Sequence, residues 1–457
     1  MKIRNLIVFS LFALIIGFVS CREDFDFDLA SDNLSFSKDT LNLDTIFNYT
    51  NSQTYKLTIK NNQNKDILVP RIYLSRGANS FFKINVDGMA GSEFENVAIR
   101  SKDSIFIFVE IAAGEAPVNP LYEDEINFET TRGTQQVKLL SFIEKAAFHN
   151  TDLQENFDLG TVNWNNTESH VIFGNVVSND VTIGPGTRIY FHNNASWTIN
   201  GTLSVQGTKD QKVIFRTDKM DEYSESLPKT WNKLHLKTGN LSEVSIVNYA
   251  IFKGMNQGFW VENSKLEINN SQFYNNELFG LVGLKSEITA RNLVLNNSDQ
   301  AALAIEGGFY DFRHCTIANY FNIGQGAGDV SSLYISNASG PTTGNFYNNI
   351  IYNSQWDAIK FDDGATASSF NFSHNLIKTS EPATFNNTNK FDDPIFVDTS
   401  YKVNDLRIMV ESPALGLANI TYWNHPIFDF DIWGEPRIGQ ITAGAYQKPV
   451  SPEELNP

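Results

Sequence analysis

The sequence predicts an all-β protein in two parts. Three observations carry the prediction: short runs of alternating apolar and polar residues early in the chain, a repeat of a little over twenty residues later, and Asn, Gly and Pro punctuating both. The chain has 457 residues, 41% of them hydrophobic, enough to bury a sizeable core in two domains or in one elongated one. A net charge of -17 argues against phosphate-backbone recognition, which draws on clustered Lys and Arg, so no nucleic-acid partner is expected.

The N-terminus, MKIRNLIVFSLFALIIGFVSC, sets Lys2 and Arg4 before an apolar run from Leu6 to Val19. That run falls short of the roughly 20 residues a membrane-crossing helix takes, and it reads as a secretion signal over 1–20. Its end, Phe18-Val19-Ser20-Cys21, resembles a bacterial lipobox, with Phe where Leu is commonest. The resemblance implies that Cys21 becomes the acylated first residue of the mature chain and that its acyl chains make the membrane a partner. Arg22-Glu23-Asp24, in a tether over 21–33, is similar to the tag that sends Bacteroidetes lipoproteins to the outer face of the outer membrane. Asp39-Thr40-Leu41, Asp44-Thr45-Ile46 and Asp103-Ser104-Ile105 resemble the O-glycosylation sequon of the same group. With Cys21 lipidated, Cys315 is the one thiol left, so no internal disulfide is expected.

Over 34–146 the runs TYKLTIKN, ILVPRIYLS, FFKINV, SIFIFVEIAA, EINFET and QQVKLLSFI predict an antiparallel sandwich of about seven strands. This resembles the Ig-like domains found beside the anchor in surface lipoproteins, which implies a spacer.

Over 147–390 the segments VNYAIFKG, NNSQFYNN, ARNLVLNN, RHCTIANY, YNNIIYNS and SHNLIKTS align on Ala250, Ser271, Asn292, Cys315, Asn349 and Asn375. Two positions on stand Phe252, Phe273, Val294, Ile317, Ile351 and Ile377; three positions back stand Val247, Ile268, Thr289, Phe312, Phe346 and Phe372. A second column holds Phe259, Leu281, Leu303, Leu333 and Ile359. Several period-2 strands per repeat with Asn or Gly turns fit one coil of a right-handed parallel β-helix, in which each coil buries its inward side chains against its neighbours. Cys315 then fills a slot that other coils give to Ala, Ser or Asn, and His314 sits in line with Tyr249, Asn270, Arg291, Asn348 and His374, so the pair is a repeat choice and not a Cys/His centre.

The entrance, VTIGPGTRIYFHNNASWTINGTLSVQGTKDQKVIFRTD, resembles the opening coils of a β-helix family common in Bacteroidetes lipoproteins, with Met220 to Trp231 as an inserted loop. Asp393-Pro394-Ile395-Phe396, Ser412-Pro413-Ala414-Leu415, Asp431, Gly434, Arg437 and Gly444-Ala445-Tyr446 resemble the closing segment of right-handed, pectate-lyase-like β-helices, implying a C-terminal cap over 391–457.

On such a fold the outward residues of one sheet form a shallow groove. Here they are Trp260, Val282, Ala304, Tyr334 and Lys360, followed by Glu262, Leu284, Glu306, Ser336 and Asp362. Glu262, Glu306 and Asp362 share a column expected to be exposed, with Trp260 and Tyr334 beside it to stack on sugar faces. At a coil spacing of about 4.8 Å the carboxylates stand about 9.6 Å apart, at the upper end of the range of about 6.5–9.5 Å for an inverting glycosidase pair. Solvated surface carboxylates explain the same column. Asp357 and Asp362-Asp363 resemble the paired aspartates of β-helix polygalacturonases, but the Gly-His-Gly and Arg-Ile-Lys signatures of those enzymes are missing. A lyase would take Lys360 as base beside Asp362 and Asp363, and Ca2+ as its cofactor; without lyase chemistry no cofactor is expected. No phosphate loop, zinc spacing or nucleophile elbow is present. The expected protein is a non-catalytic outer-membrane lipoprotein facing the cell exterior, its groove binding a polysaccharide or another surface component through Trp260, Glu262, Glu306, Tyr334, Lys360 and Asp362. The alternatives are a lyase or glycoside hydrolase acting on an acidic glycan, with Glu306, Asp362 and Lys360 as catalytic candidates, and an adhesin or scaffold.

Overall fold

A computed structural model describes residues 27–31, 34–321 and 330–455, and the chain divides into two compact units, Met1–Ile143 and Glu144–Pro457. Cys21 and the segment around it lie outside the described residues.

The first unit is all β. Among the described residues it holds a seven-stranded and a five-stranded sheet. All six predicted runs are strands, among them Tyr55–Lys60, Ile67–Leu74 and Ser104–Ile111. Their alternation is the cause: Leu57, Ile59, Ile107 and Val109 from one sheet, and Val69, Ile72, Ile126 and Phe128 from the other, fill one shared apolar core. The sheets hold more strands than the expected seven or so, because pieces as short as Asp28–Leu29 and Ile46–Phe47 join their edges. Two residues are too few to show a period. Nor is the pairing wholly antiparallel: Asp28–Leu29 and Thr40–Asn42 pair parallel to their neighbours.

Among the described residues the second unit is built of parallel sheets, apart from one antiparallel pair, Phe396–Asp398 with Asp405–Ile408. A ten-stranded sheet runs, in chain order, from Ala146–His149 through Ala250–Lys253, Gln272–Asn276, Val294–Ser298, Thr316–Asn319 and Ile350–Asn353 to Leu376–Ile377. Two further parallel ladders fuse in the long strands Phe279–Arg291 and Ala301–Arg313. Chain order is stacking order, so each strand meets the equivalent strand of the rungs before and after it.

Register within the stack is specific. Phe215, Phe252, Phe273, Leu295, Ile317, Ile351 and Ile377 are successive partners, and all are fully buried. The rings of Phe252 and Phe273 stack at 4.6 Å. The expected file therefore exists with one correction: Leu295 occupies the place assigned to Val294, which turns outward to pack with Tyr274, Ala318 and Leu406. The same one-residue slip puts Ala290, not Thr289, between Ile268 and Phe312, removing the polar exception from that column. It also returns Asn292, not Arg291, to the line of Tyr249, Asn270, His314, Asn348 and His374.

Those six residues share a cause. Each has a φ between +48° and +59°, the left-handed bend by which the chain turns from one ladder into the ten-stranded sheet. Asn tolerates that conformation better than most residues, because its short amide bonds locally. The amide of Asn292 donates to Asn270 at 3.0 Å, and that of Asn348 reaches His314 Nε2 at 3.0 Å. One residue on, Asn349 donates to Asn375 and Asn375 to Asn389, both at 3.0 Å and buried. This is the ladder into which Cys315 fits. Its thiol is fully buried, lies 3.3 Å from the Arg313 carbonyl oxygen, and is pushed up to about 12 by burial. The His314 imidazole accepts from Trp423 Nε1 at 2.9 Å, while Cys315 belongs to the inner core. Neighbours in sequence thus serve different environments, and no thiolate–imidazole pair forms.

At the rear of the stack, Phe385 and Phe391 pack on the core and Lys390 bridges to Leu376. The chain beyond does not stop there. It returns along the outer face of the ten-stranded sheet, where Asn419 meets Asn348, Trp423 meets His314, Asn404 meets Asn297 and Asn275, and Tyr401 accepts from Asn275. Leu406, Ile432, Ala445 and Tyr446 cover Tyr274 and Val294. The side chain of Arg437 is buried against Asn292 and the carbonyls of Gly444 and Ala445. Asp431 is satisfied by the backbone N–H groups of Trp433, Glu435 and Gln447.

Candidate functional site

The predicted outward columns are in register. Trp260, Val282, Ala304, Tyr334 and Lys360 are successive partners, as are Glu262, Leu284, Glu306, Ser336 and Asp362. Their exposure is where the structure departs from expectation. Val282 and Ala304 are buried in an apolar cluster against which Trp260, Phe279 and Tyr334 pack, and of the three carboxylates only Asp362 is exposed. Trp260 is half-buried: its indole N–H donates to the Gln257 carbonyl at 2.9 Å and its ring stands edge-on to Phe279. The middle of the groove is closed by its own aromatics.

Each carboxylate has a partner. Glu262 faces His235 Nε2 at 2.9 Å and Lys237 Nζ at 3.2 Å. Its burial alone would raise the carboxyl, but Lys237 and His235 outweigh that and hold it below the ordinary carboxylate value. Glu306 accepts from the Ser339 hydroxyl. Asp362 accepts from Tyr334 at 3.1 Å and Asp363 from Ser336 at 2.7 Å. One strand separates Glu262 from Glu306 and one separates Glu306 from Asp362, about 9.6 Å each along the stack. General-acid work requires a carboxyl kept protonated near neutral pH, and Glu262 is displaced the other way. Among the described residues no group of three or more His, Cys, Asp or Glu side chains is placed to hold a metal ion.

The open part of the column lies at its rear. Lys360 lines a cleft of about 730 Å3 with Gln355, Trp356, Asp357, Phe361, Lys378 and Ser380. Trp356 is 55% exposed and presents the largest apolar surface there. Asp357 is held by the Ser380 backbone N–H at 2.6 Å and hydroxyl at 2.7 Å, so its carboxylate buttresses the cleft wall. Lys378 sits 5.2 Å above the Tyr352 ring, and burial lowers its ammonium. The site thus gathers Lys360 with Trp356 and Asp357, places Asp362 on a neighbouring stretch of the same strand, and leaves Trp260, Glu262 and Glu306 farther forward in the stack. Sequence reasoning missed Lys378 and Ser380. The signal was available, since Lys378 follows Ile377, the last residue of the aligned file.

No protein-family profile matches the chain, and no curated protein matches it. Among solved structures, a protein of unknown function from Porphyromonas gingivalis is similar at a TM-score of 0.20 and 11% identity, over 28% of this chain and 59% of that one. A family 123 glycoside hydrolase from Clostridium perfringens is similar at a TM-score of 0.20 and 8% identity, over 29% of this chain and 30% of that one. The chain spans less than two thirds of either protein, and likenesses of this size fix neither fold nor function.

Proposed function

We propose that the protein is a lipid-anchored protein of the outer membrane facing the cell exterior, of the Bacteroidetes surface-lipoprotein kind. In this reading the first unit is an Ig-like spacer and the second a right-handed parallel β-helix that binds a polysaccharide without cleaving it. The observation that carries the binding reading is the cleft at Trp356: an exposed indole beside Lys360 and Lys378, with Asp357 tied back by Ser380. An indole face stacks on the C–H face of a sugar ring, and the two ammonium groups favour glycans that carry carboxylates. The absence of turnover is supported by the partnered state of Glu262, Glu306 and Asp362.

Glycan-array binding run beside a depolymerisation assay on acidic polysaccharides tests this. Trp356→Ala is expected to weaken binding at least about tenfold, as loss of a central aromatic anchor does. Adding Ca2+ or a chelator is expected to change neither readout, because Ca2+ would enter only with lyase chemistry. Release of unsaturated or reducing ends that disappears in Glu306→Gln or Lys360→Ala would establish an enzyme instead. Acylation at Cys21 is tested by detergent partitioning of the full chain against Cys21→Ala.

A further inference from the structure

A second concavity lies on another face of the stack, over the ten-stranded sheet. Its volume is about 540 Å3. Ile251, Lys253, Gln272 and Tyr274 form its floor from two adjacent strands. The inserted loop contributes one wall through Glu225 and Ser226, and the returning C-terminal segment contributes the other through Tyr401, Lys402, Asp405, Trp433 and Tyr446. Three distant stretches of sequence are therefore held together around one hollow. Asn275 joins two of them, donating to Ser226 at 2.9 Å and to Tyr401 at 2.8 Å.

The charge balance of the hollow is opposite to that of the protein. Its carboxylates are Glu225 and Asp405, and both are neutralised: Glu225 by Arg216 at 3.2 Å and Lys253 at 3.4 Å, Asp405 by Arg407 at 2.5 Å. Lys212 and Lys402 also line it, and among the described residues neither has an ion pair or a hydrogen bond. Two surplus ammonium groups thus converge on a cavity in a chain of net charge -17. Lys212 is half-buried, and burial lowers its ammonium. Beside this charge lie neutral polar groups that a sugar uses. Tyr446, on the C-terminal wall, hydrogen-bonds Tyr274 on the floor, Gln272 Nε2 reaches the Tyr446 hydroxyl at 3.5 Å, and Trp433, with Arg407 against one side of its ring at 4.9 Å, stands on the rim.

We propose that this hollow is a binding site for a small acidic sugar, its carboxylate taken by Lys212 and Lys402 and its hydroxyls by the polar group of Gln272, Tyr274 and Tyr446. The size fits one or two sugar rings, and the excess positive charge selects an anionic ring over a neutral one. The site shares no residue with the Trp356 cleft and does not rest on the function proposed for it.

Calorimetric titration of the intact protein with glucuronate, glucose and sulfate tests the proposal. Glucuronate is expected to bind saturably with a dissociation constant of about 1 mM or below, and glucose at least about tenfold more weakly. Lys212→Met is expected to weaken glucuronate at least about tenfold. The exposed Lys402→Ala is expected to weaken it severalfold with Tm unchanged, which separates lost binding from lost folding. Lys360→Ala is expected to be silent here, which separates the hollow from the cleft. The proposal is overturned by glucuronate binding that is absent, equal to that of glucose, matched by sulfate, or untouched in both Lys212→Met and Lys402→Ala.

Discussion

Asn375 shows how much a single side chain does in this stack. Its Oδ1 accepts from the backbone and the side chain of Asn349, at 2.8 and 3.0 Å, while its Nδ2 donates to Phe346 O at 2.8 Å and to Asn389 at 3.0 Å. Removing it strands several buried groups, each costing on the order of 1–3 kcal/mol. Asn375→Ala is therefore expected to lower the unfolding free energy by at least that much in urea titration. The exposed Asn371→Ala, which loses one bond to Asn345, is expected to change it by no more than about 0.5 kcal/mol. His170 makes a pH-dependent contribution. It lies at the front of the stack, 3.1 Å from His149 and stacked on Trp164 at 4.0 Å, and burial followed by the His149 charge pushes it down to about 3. The folded state thus disfavours its proton, so stability is full above about pH 6.5 and falls as the pH drops from there toward 3. His170→Phe is expected to flatten that loss, read as a stability difference from wild type that grows on acidification.

Among the elements, the ladders carry different amounts of information in their sequence. The column from Phe259 to Ile359 was fully legible, because Phe259, Leu281, Leu303, Leu333 and Ile359 are all large and apolar and recur once per rung in a single file. The file from Phe252 to Ile377 slipped by one residue at Val294. Around it, Asn296 and Asn297 offer two equivalent anchors for the repeat, and Val294 and Leu295 are equally apolar. Only the polar Thr289 in an otherwise apolar column betrayed the slip. Val294 is apolar for a reason outside its own rung, because Leu406 and Tyr446 cover it from far along the chain. The hollow over the ten-stranded sheet was hard to read, because its walls join the inserted loop at Glu225 to the returning segment at Tyr401, and periodicity reports only equivalent positions of neighbouring rungs. The correct register makes a prediction. Phe273→Ala opens a hole in the inner file between Phe252 and Leu295 and is expected to cost about 3–5 kcal/mol.

On the scale of the molecule, two cores account for stability, one in each unit. All seven tryptophans lie beyond Glu144, so indole fluorescence follows the second unit alone. A fragment beginning at Glu144 is expected to keep the fluorescence melting profile of the full chain, with Tm within a few degrees. A collapse of that profile would show that the second core is not self-sufficient. The return of the C-terminal segment along the ten-stranded sheet also bears on how the protein comes into being. Synthesis delivers the rungs from front to rear, and each can dock on its predecessor as it emerges. The flank bearing Tyr274 and Val294 is dressed only once the chain past Lys390 has been made. A nascent molecule therefore passes through a stage with its spine assembled and one side bare and greasy, and a premature stop near that point would yield a sticky product rather than an unfolded one.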